Sequence, residues 1–208
     1  MRYPEADERR SEEQEDELLE QYLEQFGNLP LLSWLGQGVK FDLPEVVVKV
    51  FARHVSQRNA RILDAGAGTG SSGELLKRLG YTSIYAIDIS PELLEEARRK
   101  EIYLELHQMT LGEDLSFPDD YFDGVFSVAV MGQAPPQSFD ELIRITRGGG
   151  RIVFTVGIAR YRRDGFKEKQ ENLEQERKWR LVEKTEPLSC PPGYDPSVFC
   201  YVFVYQVL

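Results

Sequence analysis

The chain has 208 residues, 41% of them hydrophobic, enough for one sizeable α/β domain with a real core and little more. Its net charge is −10, and ten acids against three arginines fall within residues 1–26, so the acidity is mostly local. With no basic stripe before the last third, DNA and long RNA are disfavoured as substrates.

No run approaches the roughly 20 apolar residues that cross a bilayer, and Met1-Arg2-Tyr3-Pro4 opens an acidic segment instead of an apolar leader. A cytoplasmic protein with no membrane partner is expected. Cys190 and Cys200 are too few for a disulfide framework and lack zinc-site spacing, so both are read as reduced and no metal is expected.

Residues 1 to about 12 show no apolar periodicity. Leu18, Leu19, Tyr22, Leu23 and Phe26 then recur at helical spacing beside an acidic face, with Gly27-Asn28 as a stop. Residues 1–43 therefore read as an acidic helical extension, either a solvated face or a lid, and 44–208 as the main domain. Pro44 opens a helix with Val46, Val47, Val50, Phe51 and Val55 inward, and His54 in it reads as a surface or capping residue.

Arg61-Ile62-Leu63-Asp64-Ala65-Gly66-Ala67-Gly68-Thr69-Gly70 is an apolar run that breaks into a glycine-rich turn, and Glu74 to Leu79 is helical in pattern. Such a strand, bare loop and helix let a ligand lie against the backbone and meet the positive end of the helix dipole. Thr82 to Ile89 is a second buried strand that carries Asp88, placed where a carboxylate accepts from both hydroxyls of a ribose. Ser90-Pro91 caps a further helix, which runs to about Lys100.

A short strand is expected over Tyr103 to His107, and Phe122 to Val130 reads as a strand buried on both faces, with Met131 to Pro136 as its exit loop. Ser138 to Thr146 is helical, ended by Gly148-Gly149-Gly150 before a strand over Arg151 to Val156. Arg160 to Lys178 is charged and helical in composition. The strands Arg180 to Thr185 and Val198 to Leu208 follow, and the short loop between them predicts an antiparallel pair.

The strand, glycine loop and second-strand acid suit either a dinucleotide or S-adenosylmethionine. Gly68-Thr69-Gly70-Ser71-Ser72-Gly73 matches GxGxxG, but counted from the strand end the last required glycine falls on Ser71. Asp64 would repel a pyrophosphate, whereas it suits the ammonium and sulfonium of S-adenosylmethionine. The antiparallel finish points the same way.

At these residues the chain resembles class I S-adenosylmethionine-dependent methyltransferases. Leu63 to Gly70 looks like their first motif and Ile87-Asp88-Ile89-Ser90-Pro91 like their second; Phe117 to Asp123 and Glu141 to Arg151 resemble two more. In Gln133-Ala134-Pro135-Pro136, Glu171 to Glu183 and the tyrosine-rich last strand it looks most like the methyltransferase-like proteins of the Williams-Beuren chromosome region.

The resemblance implies a doubly wound seven-stranded mixed sheet, mostly parallel with an antiparallel last strand, the Rossmann-like methyltransferase fold. It also implies S-adenosyl-L-methionine as cofactor. The backbone of Ala65, Gly66, Gly68, Thr69 and Gly70 would wrap the methionine part, Asp64 would orient its amino group and Asp88 would take the ribose hydroxyls. Ile89 and Leu111 would sandwich adenine with Thr110 nearby, and the Val128 carbonyl would approach the methionine ammonium. Many relatives carry an acid near Thr110 or Leu111, which implies a weaker hold on adenine here.

The implied reaction is methyl transfer to a small-molecule or protein nucleophile by in-line displacement, in which alignment does most of the work. No catalytic residue is nominated. Met131 and Gln133, after the fourth strand, are the acceptor-side candidates, whereas His107 and Tyr121 read as structural. Two other classes remain open: a cofactor-binding scaffold without catalysis, and a nicotinamide-dependent oxidoreductase.

Overall fold

The computed structural model describes residues 43–185, 188–189 and 199–208. The expected amino-terminal helix lies outside the described residues. The elements run α1 (Leu43–His54), β1 (Arg61–Ala65), α2 (Ser71–Arg78), β2 (Ser83–Asp88), α3 (Pro91–Arg98), β3 (Glu105–Gln108), β4 (Phe122–Ser127), α4 (Ser138–Ile145) and β5 (Thr146–Gly157). Then come α5 (Ile158–Arg163), α6 (Phe166–Gln175), β6 (Trp179–Lys184), β7 (Leu188–Ser189) and β8 (Phe199–Val207).

One sheet holds all the described strands in the order β3-β2-β1-β4-β5-β8-β6, with β7 paired to β8 at one side. Strands β1 to β5 are parallel, and β8 inserts antiparallel between β5 and β6. The sequence explains the split. β1, β2 and β4 are near-continuous apolar runs, the pattern of strands covered on both faces. The expected antiparallel pair is present, with Leu181 opposite Tyr205 and Lys184 opposite Phe203.

Two apolar layers sandwich the sheet. On one face Phe51 and Val47 of α1 pack with Tyr81, Ile62, Phe126 and Val202. The other face is aromatic: Trp179 stacks on Tyr205 at 4.0 Å, and Phe154 lies 4.7 Å from Phe139 and 5.3 Å from Phe203. In α1 the buried stripe includes Val48, while Val46, expected inward, is only half-buried.

Several boundaries differ from expectation for local reasons. β4 stops at Ser127, because Ala129 takes φ +60° and its N–H donates to Thr155 Oγ1 at 2.8 Å. The triple glycine is no loop before β5. It lies within that strand as an irregularity in the ladder, between the pairs Phe122–Thr146 and Gly124–Arg151. The charged segment makes two helices, broken at Gly165, whose φ of +82° no helix continues through. β3 begins at Glu105, which frees Tyr103 for another task.

Phe154, fully buried between Phe139 and Phe203, is the centre of the aromatic layer. Phe154→Ala should lower the unfolding free energy by about 3–5 kcal/mol, read by urea denaturation followed by circular dichroism.

Candidate functional site

Parallel pairing brings the carboxyl ends of β1, β2 and β4 side by side, with Asp64 opposite Ala86 on one flank and Phe126 on the other. The chain leaves β1 in a bend fixed by β2, since the N–H groups of Gly66 and Ala67 both donate to the Ile87 carbonyl, at 2.8 and 3.0 Å. The Gly70 N–H closes the turn onto the Ala67 carbonyl at 2.9 Å, and α2 starts there.

Two of the glycines are required for different reasons. A Cβ on Gly66 would collide with the Val130 side chain, so the bend and the loop after β4 are in direct contact. A Cβ on Gly68 would meet nothing within 4 Å, yet the residue holds φ +54°. Its backbone therefore faces open space, where a ligand can approach.

Asp88 stands across that open side, 8% exposed. Its Oδ2 accepts from the Gly68 N–H at 2.7 Å and its Oδ1 from the Ser90 N–H at 2.9 Å, which aims the carboxylate. A carboxylate offers about four lone-pair sites. The remaining ones can serve a pair of ligand hydroxyls.

Asp64 is 2% exposed, and its Oδ2 accepts from the Tyr103 hydroxyl at 2.7 Å. Burial pushes its pKa up to about 7, the Tyr103 bond opposes the rise, and the Asp88 charge adds to it. A cation brought beside this carboxyl would favour its ionised form. Burial and the neighbouring Asp64 charge in turn push the Tyr103 hydroxyl above the ordinary tyrosine range.

The sequence pattern does not mark Tyr103 as part of this site. Its ring lies against Gly73 and Gly70, where a Cβ at 73 would collide with the ring and its hydroxyl. The available signal is Gly73 itself, a residue that weakens a helix by about 1 kcal/mol relative to alanine and so points to a close neighbour that needs the room.

The remaining candidates are placed as follows. Ile89 projects beyond β2, 64% exposed. Thr110 and Leu111 are half-buried in a turn closed by the Glu113 N–H on the Thr110 carbonyl at 3.2 Å. That segment is held at two points, by the loop before α4 and by α4 itself. Gly112 fits beneath Pro135, and Arg144 donates to the carbonyls of Leu115 and Phe117, each at 2.8 Å, while Glu141 accepts from the Leu115 N–H at 2.8 Å. Val128 is half-buried just after β4, whose end is tied to β1 by Ser127 Oγ donating to the Ala65 carbonyl at 2.8 Å.

The structure separates the two acceptor-side candidates. Gln133 is exposed, in a turn that its N–H closes onto the Val130 carbonyl at 2.7 Å. Met131 is fully buried in the aromatic layer, so its side chain is core and is not presented to an acceptor. His107 and Tyr121 both pack against Phe117, and His54 bonds Glu183 at 2.7 Å to tie α1 to β6.

A family model described as "Methyltransferase domain" matches residues 63–154, the span from the Asp64 bend to the middle of β5. The fold is that of the S-adenosylmethionine-dependent methyltransferases. A TehB-like S-adenosylmethionine-dependent methyltransferase from Corynebacterium glutamicum superposes with a TM-score of 0.63 at 22% identity, covering 93% of this chain and 100% of that one. A phosphatidylethanolamine N-methyltransferase of Cereibacter sphaeroides is 38% identical over 118 residues, 52% of this chain and 56% of the relative. Human methyltransferase-like protein 27 is 35% identical over 101 residues, 47% of this chain and 41% of the relative. The chain thus spans about half the length of the curated relatives it matches. Among the described residues no helix is long and apolar enough to cross a membrane.

The buried acid gives a signed expectation for stability. Because the Asp64 pKa rises from 3.8 to about 7 on folding, the native state keeps a proton that the unfolded chain releases. Its contribution to stability is complete below pH 4 and is lost as pH rises through 7. Asp64→Asn should therefore leave the ligand-free protein more stable than the parent at pH 8, by on the order of 2–4 kcal/mol, and little changed at pH 4. Thermal or urea unfolding at the two pH values reads the difference.

Proposed function

We infer that this chain is an S-adenosylmethionine-dependent methyltransferase. The observation that carries the reading is the backbone open at Gly68, set between the buried carboxyl of Asp64 and the aimed carboxylate of Asp88. These residues fit the cofactor's chemistry. The backbone of Ala65, Gly66, Gly68, Thr69 and Gly70 lies along its methionine part, Asp64 and the Val128 carbonyl face its ammonium, and the free lone pairs of Asp88 take the ribose hydroxyls. Ile89 supplies an exposed apolar surface for one face of adenine and Leu111 for the other, with Thr110 beside it.

When bound, the cofactor supplies a methyl group already activated on a sulfonium. The protein's task is then to hold an acceptor nucleophile in line, which contributes several kcal/mol without a dedicated base. Gln133 is the acceptor-side residue in this proposal. The acceptor is a small molecule or a protein side chain, and the human relative at 35% identity supports a place beside the methyltransferase-like proteins of the Williams-Beuren region.

Calorimetry with S-adenosylmethionine and S-adenosylhomocysteine, followed by methyl-transfer assays on extracts, tests the reading. Binding without turnover favours the scaffold, and tight NADH binding favours the oxidoreductase. Asp88→Ala should weaken cofactor binding about thirtyfold or more, the equivalent of ~2 kcal/mol for two charge-assisted hydrogen bonds. Survival of affinity within twofold removes the ribose assignment.

Affinity should also fall as pH drops from 7 to 5.5, by up to about tenfold, because Asp64 takes up a proton while the ligand amine, with a pKa of about 7.7, stays charged. Asp64→Asn should flatten that dependence.

A further inference from the structure

At the opposite edge of the sheet, where β5 begins, positive charge is gathered in a way the cofactor site does not use. Arg151 on β5, Gln206 on β8 and Arg180 on β6 are direct cross-strand partners. They share one face. Val153 and Val204, two residues along from Arg151 and Gln206, belong to the layer under α1, and Trp179 and Leu181 point to the other layer. Two strand spacings separate the backbones of Arg151 and Arg180, roughly 10 Å, a gap that two long side chains can close around a small ion. Arg147 stands at the start of the glycine irregularity that leads into Arg151.

Arg151 and Arg180 have no carboxylate partner among the described residues. Arg180 rests on a neutral acceptor, Gln206 Oε1, at 2.9 and 2.6 Å. Arg151 donates from Nη1 to the carbonyls of Gly149 and Gly150, at 2.5 and 3.4 Å, and its Nε is buried with no hydrogen-bond partner among the described residues. Arg147 has the one carboxylate of the group, Asp123, whose second oxygen already accepts from the Arg61 N–H at 2.7 Å. Other arginines of the molecule pair directly with acids: Arg53 with Glu183, Arg144 with Glu141 and Asp119, Arg160 with Asp164. Burial and, after it, the charges of Arg180 and Arg147 push the Arg151 pKa down, as expected of like charges held together. Beside them Gly148 leaves backbone uncovered, since a Cβ there would meet nothing within 4 Å.

We propose that Arg147, Arg151 and Arg180 form a second binding site, for a small tetrahedral oxyanion of the phosphate type, at the edge of the sheet remote from the glycine bend. Planar guanidinium forks from two sides match the oxygens of such an ion, and a dianion neutralises the charge that the protein itself leaves uncompensated. A small ion is favoured over a polyanion because a carboxylate, Asp123, already pairs within the cluster and the whole chain carries −10. The site is independent of the methyltransferase reading.

The test is calorimetric titration of the full chain with inorganic phosphate at low ionic strength, with and without saturating S-adenosylhomocysteine. One saturable site in the millimolar range or tighter is expected, unaffected by the nucleoside. Arg180→Gln, at an exposed position, should weaken it about tenfold or more, and Arg151→Gln likewise. Arg53→Gln removes an equal charge from an arginine already paired with Glu183 and should change it less than twofold. The proposal falls if phosphate does not saturate, if Arg53→Gln weakens binding as much as Arg180→Gln, or if the nucleoside displaces the phosphate.

Discussion

Two N–H groups, from Gly66 and Ala67, converge on one oxygen, the carbonyl of Ile87. This fork ties the bend after the first strand to the end of the second, and the candidate site depends on it. With the bend pinned there, the Gly68 N–H reaches Asp88, and the outer side of the backbone is left bare. The two acids are treated differently by their surroundings. Asp88 is aimed by two main-chain donors at the rim, whereas Asp64 is sunk beneath the bend with one hydroxyl for company. Neighbouring carboxylates are thus set apart, one by burial beside a side-chain hydroxyl and the other by main-chain donors.

The likeness to known proteins has a definite reach. Superposition over 93% of the chain at 22% identity speaks for the arrangement of strands and helices. A common architecture hosts many reactions, so activity has to be argued from the groups at the site. Here those groups are the bare bend and its two acids.

Much of this is legible in the chain itself. Asp64, the glycines and Asp88 announce themselves because a strand, a tight turn and a helix follow each other within a few residues, and the second acid ends the next strand. What escaped depends on register across the sheet or on contacts distant in sequence. Tyr103 leaves its strand to bond Asp64, 39 positions earlier, and nothing in its own neighbourhood says so. The triple glycine reads locally as a helix stop, but the pairs on either side of it, Thr146 with Phe122 and Arg151 with Gly124, draw it into a strand. Met131 reads as an edge residue because it follows a strand, and packing takes it into the core instead. Arg151 and Arg180, 29 positions apart in the numbering, meet only because β8 inserts between their strands.

The contact between Gly66 and Val130 carries a consequence for descent. The valine methyls occupy the room that a methyl group at 66 would need, and the glycine's φ of +89° resists any side chain there. A lineage that enlarges one partner must therefore shrink or shift the other, so the two positions are bound to drift as a couple. Among homologous chains, covariation between them would be the trace that this contact leaves.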